Sequence, residues 1–275
     1  MGRSPHPFAG MAGSGRGRPC PGRHRRPGRR PRRRHLTLMN PEPFQRIAIT
    51  GAGGTLGRAL LAAAAEAGLS TAALYRSGQA PSPCTWAASA DLADPAAASA
   101  VAARMEAEWG PPHALIHAAG AGHDRLFARL DPAAQEALLD ANLRSALHII
   151  RATAPLFLRQ GFGSILLIGS LAALRPRPGQ AVYAAAKGAL ESLTRALARE
   201  FAPKNIRVNA ATPGFLDSPM VHRLAPSTRS ALLGSIPLGR LGTMDETARA
   251  CLFLASPAAA YLTGQVLRID GGASC

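Results

Sequence analysis

The stretch Arg46-Ile-Ala-Ile-Thr50 runs without a break into Gly51-Ala52-Gly53-Gly54-Thr55-Leu56-Gly57, and this junction constrains the fold more than any other segment. The short isoleucine-containing run reads as a strand and the glycines as a tight turn. Residues 56–67, rich in Ala and Leu and closed by Gly68, read as a helix. A strand that enters a helix through such a turn returns to its sheet by a right-handed crossover. Glycines there let the backbone approach a ligand closely, and the helix N-terminus favours an anion. The pyrophosphate of a dinucleotide meets both conditions.

The alternation continues along the chain. Strands are expected near 71–75, 85–89, 114–117, 164–168, 206–210 and 265–269, and helices near 95–109, 132–160, 180–202 and 243–256. Apolar residues at 139, 143, 146, 147 and 150 follow a helical period. Ser164-Ile-Leu-Leu-Ile168 is apolar on both faces, as a central parallel strand requires. The pattern predicts an α/β fold with a doubly wound, Rossmann-like parallel sheet in a single domain over residues 44–275.

The net charge of +16 suggests a nucleic-acid binder until it is located. Residues 1–38 hold 11 arginines and no acid, which leaves +5 for the remainder, an ordinary enzyme surface. Residues 1–43 therefore read as a disordered Arg/Pro/Gly-rich tail. Its alternatives are a nucleic-acid arm, a transit peptide, or an upstream reading-frame extension with the true start at Met39. No nucleic acid is expected on the folded domain. No run approaches the ~18 apolar residues of a membrane span, and no apolar signal segment is evident. Cys20, Cys84, Cys251 and Cys275 show neither metal-ligand nor disulfide spacing, so no metal is expected, and a cytoplasmic location is.

Five residues carry candidate chemistry. Tyr183 and Lys187, four apart on a predicted helix, share one face. A free phenol titrates too high for acid–base work near neutrality, and a neighbouring ammonium would stabilise its phenolate and lower that pKa. Ser170 follows the central strand at the end where open α/β sheets bind ligands. It reads as a hydrogen-bond donor to a developing oxyanion, or as a helix cap or turn serine. Asn142 in an apolar helix reads as functional or as a satisfied buried amide. Beyond the second strand stands Arg76 where an acid would select NAD. It reads as a partner for a 2′-phosphate, favouring NADP (NADPH) over NAD, or as a solvated loop arginine.

Thr50–Gly57, His117-Ala118-Ala119-Gly120, Asn142, Ser170, Tyr183-x-x-x-Lys187 and Pro213-Gly214 together resemble the short-chain dehydrogenases/reductases in order and spacing. The resemblance spans about residues 46–272. It implies a catalytic tetrad in which Tyr183 passes a proton to the carbonyl oxygen and Ser170 orients that oxygen. Lys187 would hold the nicotinamide ribose and tune Tyr183, while Asn142 anchors a water. It also implies cofactor contacts from Gly51, Gly54, Thr55, Leu56, Gly57, Arg76, Asp91, Leu92, Ala119, Gly120, Tyr183, Lys187, Pro213, Gly214, Leu216 and Ser218.

This chain departs from the family pattern at several positions. Thr55 replaces a glycine, which implies a slightly altered phosphate turn with binding kept. Gly54 stands where many NADP-using members carry a basic residue, leaving Arg76 for the 2′-phosphate. Ser218 replaces a threonine. His117-Ala118 replaces Asn-Asn, which removes an amide that normally braces the sheet.

Gly179-Gln180, residues 237–242 and residues 261–272 are similar to the 3-oxoacyl-(acyl-carrier-protein) reductases of the family. That likeness implies NADPH-dependent reduction of a 3-oxoacyl thioester, borne by carrier protein or coenzyme A, within fatty acid biosynthesis. It further implies carrier docking on Arg129 and Lys204 and a homotetramer. The alternative is an alcohol, sugar or hydroxysteroid dehydrogenase of the same family.

Overall fold

The structure, a computed structural model, describes residues 44–122, 124–223 and 225–275. Segment 1–43, and with it every reading of the arginine-rich tail, lies outside the described residues.

Among the described residues seven strands form one parallel sheet: β1 (Arg46–Thr50), β2 (Ser70–Tyr75), β3 (Trp86–Ser89), β4 (Ala114–His117), β5 (Gly163–Ile168), β6 (Ile206–Pro213) and β7 (Val266–Ile269). Their spatial order is β3-β2-β1-β4-β5-β6-β7. The order reverses between β1 and β4, whose register pairs Thr50 with His117. Such a switch point opens a crevice at the carboxyl ends of the strands.

The helices are α1 (Thr55–Glu66), α2 (Pro95–Glu108), α3 (Pro132–Leu139), α4 (Ser145–Gln160), α5 (Ala181–Phe201), α6 (Pro219–His222), α7 (Pro226–Gly234) and α8 (Met244–Ala255). Strand side chains alternate between two apolar layers. Ala48, Leu115, Ile165, Leu167 and Val208 face α2, α4 and α5 through Met105, Ile149, Phe157 and Leu190. Ile47, Ile49, Ile116, Leu166 and Ile168 face α1 and α8 through Leu60, Leu61 and Leu254. Coverage on both faces makes these strands nearly continuous apolar runs.

Helix starts follow local chemistry. Asp94 and Asp131 accept hydrogen bonds from Ala96 N (2.8 Å) and Ala133 N (2.7 Å), each with proline at the next position. Thr243 and Glu246 form a reciprocal capping box on α8.

The expected single helix over 132–160 is divided. A π-helical turn, Asp140–Arg144, separates α3 from α4 and carries the fully buried Asn142. Apolar period alone does not reveal such a turn, because one wide turn leaves the periodicity on each side intact. The strand expected at 206–210 continues to Pro213, since β7 pairs with Thr212 and Pro213. α6 and α7 were also not anticipated. Too short for a clear period, α7 is seated by Leu232 against Leu171, Ile236 and Ala273.

Candidate active site

The turn after β1 is built by two glycines that cannot be replaced without movement. Gly51 has φ +65°, and a Cβ there would lie 2.6 Å from the Ala119 backbone. At Gly57 a Cβ would meet Gly51 O at 2.2 Å, so the helix and turn are in direct contact. Gly54 is tighter than usual (3.3 Å to Gly51 O), and Gly53 has ordinary space. The threonine in the penultimate glycine place, Thr55, is exposed as the first residue of α1 and leaves this packing undisturbed. No side chain caps the N-terminus of α1 and no acid occupies its first turn. Its N–H groups are thereby left for an anion.

His117 supplies the brace that its replacement of asparagine was expected to remove. Wholly buried, its imidazole joins Thr50 Oγ1 (Nδ1, 2.9 Å) to Ser145 Oγ (Nε2, 3.4 Å) and so ties β1 and β4 to α4. Ser145 donates its own proton to Ala141 O, and Thr50 Oγ1 accepts from Ala119 N. With the ring neutral, the proton order is that Thr50 donates to Nδ1 and Nε2–H donates to Ser145, whose own proton is committed to Ala141 O. Burial, with the charge of Lys187 second, keeps the ring neutral by pushing its pKa down to about 3.

Asn142, Ser170, Tyr183 and Lys187 converge on one cleft of about 810 Å³, and Arg76 is not among its lining residues. Asn142 Nδ2 donates to Ala121 O (2.7 Å) and Leu138 O (2.9 Å), and its Oδ1 accepts from Ala121 N (3.3 Å). It thus pins the loop after β4. Gly120 is crowded between it and the lysine: a Cβ there would fall 2.7 Å from Asn142 Oδ1 and 3.2 Å from Lys187 Nζ. Ser170 does act as a cap, accepting from Ala172 N at 3.2 Å, and that use of a lone pair leaves its hydroxyl proton free to donate. Lys187, 4% exposed, donates to Ile168 O at 2.9 Å, fastening α5 to the end of β5.

The electrostatics differ from expectation at Tyr183. Burial is the first cause and holds its pKa above the usual phenol value. A hydrogen bond with Ser170 works against that rise, and the charge of Asp124 adds to it. Lys187 is not among the causes. Its Nζ lies 5.8 Å from the Tyr183 ring centroid and is turned toward the Ile168 carbonyl, while burial lowers its own pKa to about 8. The protein groups by themselves therefore keep Tyr183 as the protonated acid.

The remaining candidates surround this centre. Thr55, Leu56, Gly120, Pro213, Gly214, Leu216 and Ser218 line the same cleft. A Cβ at Gly214 would meet Asp270 at 2.6 Å, and Leu216 bridges Gly242. Ala119 takes part through the backbone contact with Gly51. Arg76 is exposed directly after β2. Asp91 accepts from Ala93 N, and the Leu92 carbonyl bonds His148.

Arg129 and Lys204 are both exposed, but Arg129 follows β4 on the cleft side while Lys204 immediately precedes β6. One subunit therefore does not bring these two together beside the cleft. Asp124, Arg177 and Gln180 form a polar lip that sequence reasoning missed: Arg177 and Gln180 reach Asp124 at 3.5 and 3.3 Å. Gln180 entered the sequence reading only through its likeness, and no motif marks Asp124 or Arg177, because the three meet only in the tertiary fold. Among the described residues no group of three His, Cys, Asp or Glu side chains is placed to hold a metal, and no helix is long and apolar enough to cross a membrane.

A family model described as Enoyl-(Acyl carrier protein) reductase matches residues 51–274. The chain is a short-chain dehydrogenase/reductase. This dehydrogenase/reductase is 36% identical over 231 residues to the 3-oxoacyl-(acyl-carrier-protein) reductase FabG of Escherichia coli (strain K12), covering 82% of this chain and 95% of that protein. It is 35% identical over 241 residues to Nodulation protein G of Azospirillum brasilense (83% and 98%). Among solved structures, a gluconate 5-dehydrogenase from Burkholderia cenocepacia J2315 in complex with NADP and tartrate superimposes with TM-score 0.81 at 28% identity, over 85% of this chain and 96% of that one. The enzyme is an oxidoreductase of nicotinamide type. The glycine cradle and the uncapped α1 N-terminus fit a dinucleotide pyrophosphate, and the cleft reaches from there to Ser170 and Tyr183.

Proposed function

We propose that this enzyme uses NADPH to reduce a 3-oxoacyl thioester to the 3-hydroxyacyl thioester. The observation that carries this reading is the apolar wall beside Ser170 and Tyr183. Leu171, Ala172, Phe215, Val221 and Leu232 line the cleft there and offer an acyl chain a surface to bury against. The likeness to FabG supports it.

When bound, the nicotinamide supplies a hydride to the substrate C3. Ser170 donates a hydrogen bond to the C3 carbonyl oxygen as negative charge builds there. Tyr183, kept protonated by its burial, gives its proton to that oxygen, so one hydride and one proton convert the carbonyl to the alcohol. Lys187 stays predominantly charged at neutral pH and would hold the nicotinamide ribose beside the end of β5. Asn142 holds the loop bearing Gly120, which leaves the lysine and amide room to meet beside the reacting end.

Arg129, exposed between β4 and α3, is the base this proposal offers to an acidic carrier protein. A cytoplasmic homotetramer without nucleic-acid partners belongs to the same proposal. A second reading, oxidation or reduction of a hydroxylated acid, is favoured by the polar lip of Asp124, Arg177 and Gln180. It draws support from the tartrate in the gluconate 5-dehydrogenase structure.

The test is the decay of nicotinamide absorbance on adding acetoacetyl-coenzyme A, with NADPH and NADH in parallel. Rapid NADPH loss with little NADH loss is expected. Inertness toward the thioester, combined with turnover of gluconate-like polyhydroxy acids, would transfer the assignment to the second reading.

A further inference from the structure

We infer that Arg58, together with Arg76, grips the 2′-phosphate of the cofactor, so that a residue on α1 replaces the basic side chain missing at Gly54. The inference rests on the NADPH reading above and assigns a second arginine to it.

Arg58 lies in the first turn of α1, where the helix dipole disfavours a cation. No acid in that turn offsets it, and Arg58 has no ion pair among the described residues. Its side chain does not extend into solvent at random: Nε donates to Gly53 O at 3.1 Å, which folds the guanidinium back over the glycine turn. That single bond uses one of the guanidinium's five donors and leaves both terminal nitrogens available.

The second arginine follows the residue that meets the same glycine. A Cβ on Gly53 would stand 3.8 Å from Tyr75 Cβ, so the end of β2 abuts the turn, and Arg76 is the next residue. Arg76 is exposed and likewise has no ion pair among the described residues. The Arg58 guanidinium therefore lies over Gly53, and Arg76 leaves the strand end that abuts this turn, where a dinucleotide places its adenosine ribose. A dianionic phosphomonoester suits this arrangement, because guanidinium forks bind phosphate oxygens in pairs. A ribose with two free hydroxyls would leave the cations uncompensated.

The experiment measures dissociation constants of the full chain for 2′,5′-ADP, 5′-AMP, NADPH and NADH by calorimetry. It compares wild type, Arg58→Gln, Arg58→Lys and Arg76→Gln. A charge-assisted hydrogen-bond pair lost from a phosphate predicts a drop of about tenfold or more in the NADPH/NADH affinity ratio for Arg58→Gln. A parallel loss is expected for 2′,5′-ADP relative to 5′-AMP, and Arg58→Lys should recover part of it.

Equal weakening of NADPH and NADH by Arg58→Gln would show that Arg58 only braces the turn or meets the pyrophosphate, and would overturn the inference. An unchanged ratio in Arg58→Gln beside a reduced one in Arg76→Gln would overturn it too, leaving the NADPH reading intact. A wild type with no preference for 2′,5′-ADP over 5′-AMP would refute the NADPH reading itself.

Discussion

Protonating His117 should unfasten the sheet from α4, and the effect has a defined sign and size. The folded enzyme holds this imidazole neutral with a pKa of about 3, whereas in the unfolded chain it titrates near the ordinary imidazole value of about 6.5. Between those values the unfolded state binds the extra proton, so stability falls as pH falls. The contribution is fully present above about pH 6.5 and is lost progressively toward pH 3, at about 1.4 kcal/mol per pH unit. Between pH 7.5 and pH 5, before most carboxylates protonate, the loss amounts to about 2 kcal/mol.

Urea unfolding of wild type and His117→Asn at fixed protein concentration, at several pH values in that window, isolates the term. Other groups titrate in both proteins and cancel in the difference. Asparagine keeps a polar partner for Thr50 and carries no titratable proton. The stability gap between the two proteins should narrow by about 2 kcal/mol as pH drops to 5. Parallel pH dependences would refute both the neutral imidazole and the Thr50–His117–Ser145 proton order.

The remaining predictions concern the turn and the acid. Gly51→Ala should cost at least about 1–2 kcal/mol and abolish cofactor binding, through its positive φ and the 2.6 Å approach to Ala119. Gly53→Ala should stay within about 1 kcal/mol, because its nearest neighbour is 3.8 Å away. Thermal melts with cofactor titration compare them, and equal effects would contradict the geometry. Tyr183→Phe should erase turnover while fluorescence titration still shows cofactor bound; near-wild-type rates would remove Tyr183 as the acid. Asp124→Asn deletes a charge that raises the Tyr183 pKa. The alkaline fall in kcat/KM for reduction should therefore move to lower pH, and an unmoved profile would show that Asp124 does not act on the phenol.

Much of this protein was legible because its local and global signals agree. The central strands pack helices on both faces, so Ile47–Ile49, Leu115–Ile116 and Ile165–Ile168 had to be apolar runs, and Asp94, Asp131 and Thr243 had to stand where helices begin. The glycine turn and the Tyr183–Lys187 pair were visible for the same reason, since each acts within a few residues of chain. Position in the chain also located Ser170 beyond β5.

What the order of residues did not settle depends on partners far apart in sequence. Asn142 sits on a π-helical turn because Ala121, 21 residues away, needs its amide. Lys187 turns to Ile168, so burial, Ser170 and Asp124 set the acidity of Tyr183 and the lysine does not. His117 replaces a lost amide only because Thr50 and Ser145 lie on either side of its ring. Arg58 reaches Gly53 around a helix end. Patterning along the chain specifies elements and their buried faces, because hydrophobic burial is read residue by residue. Hydrogen-bond direction and electrostatic potential are sums over neighbours in space, and only the assembled sheet brings those neighbours together.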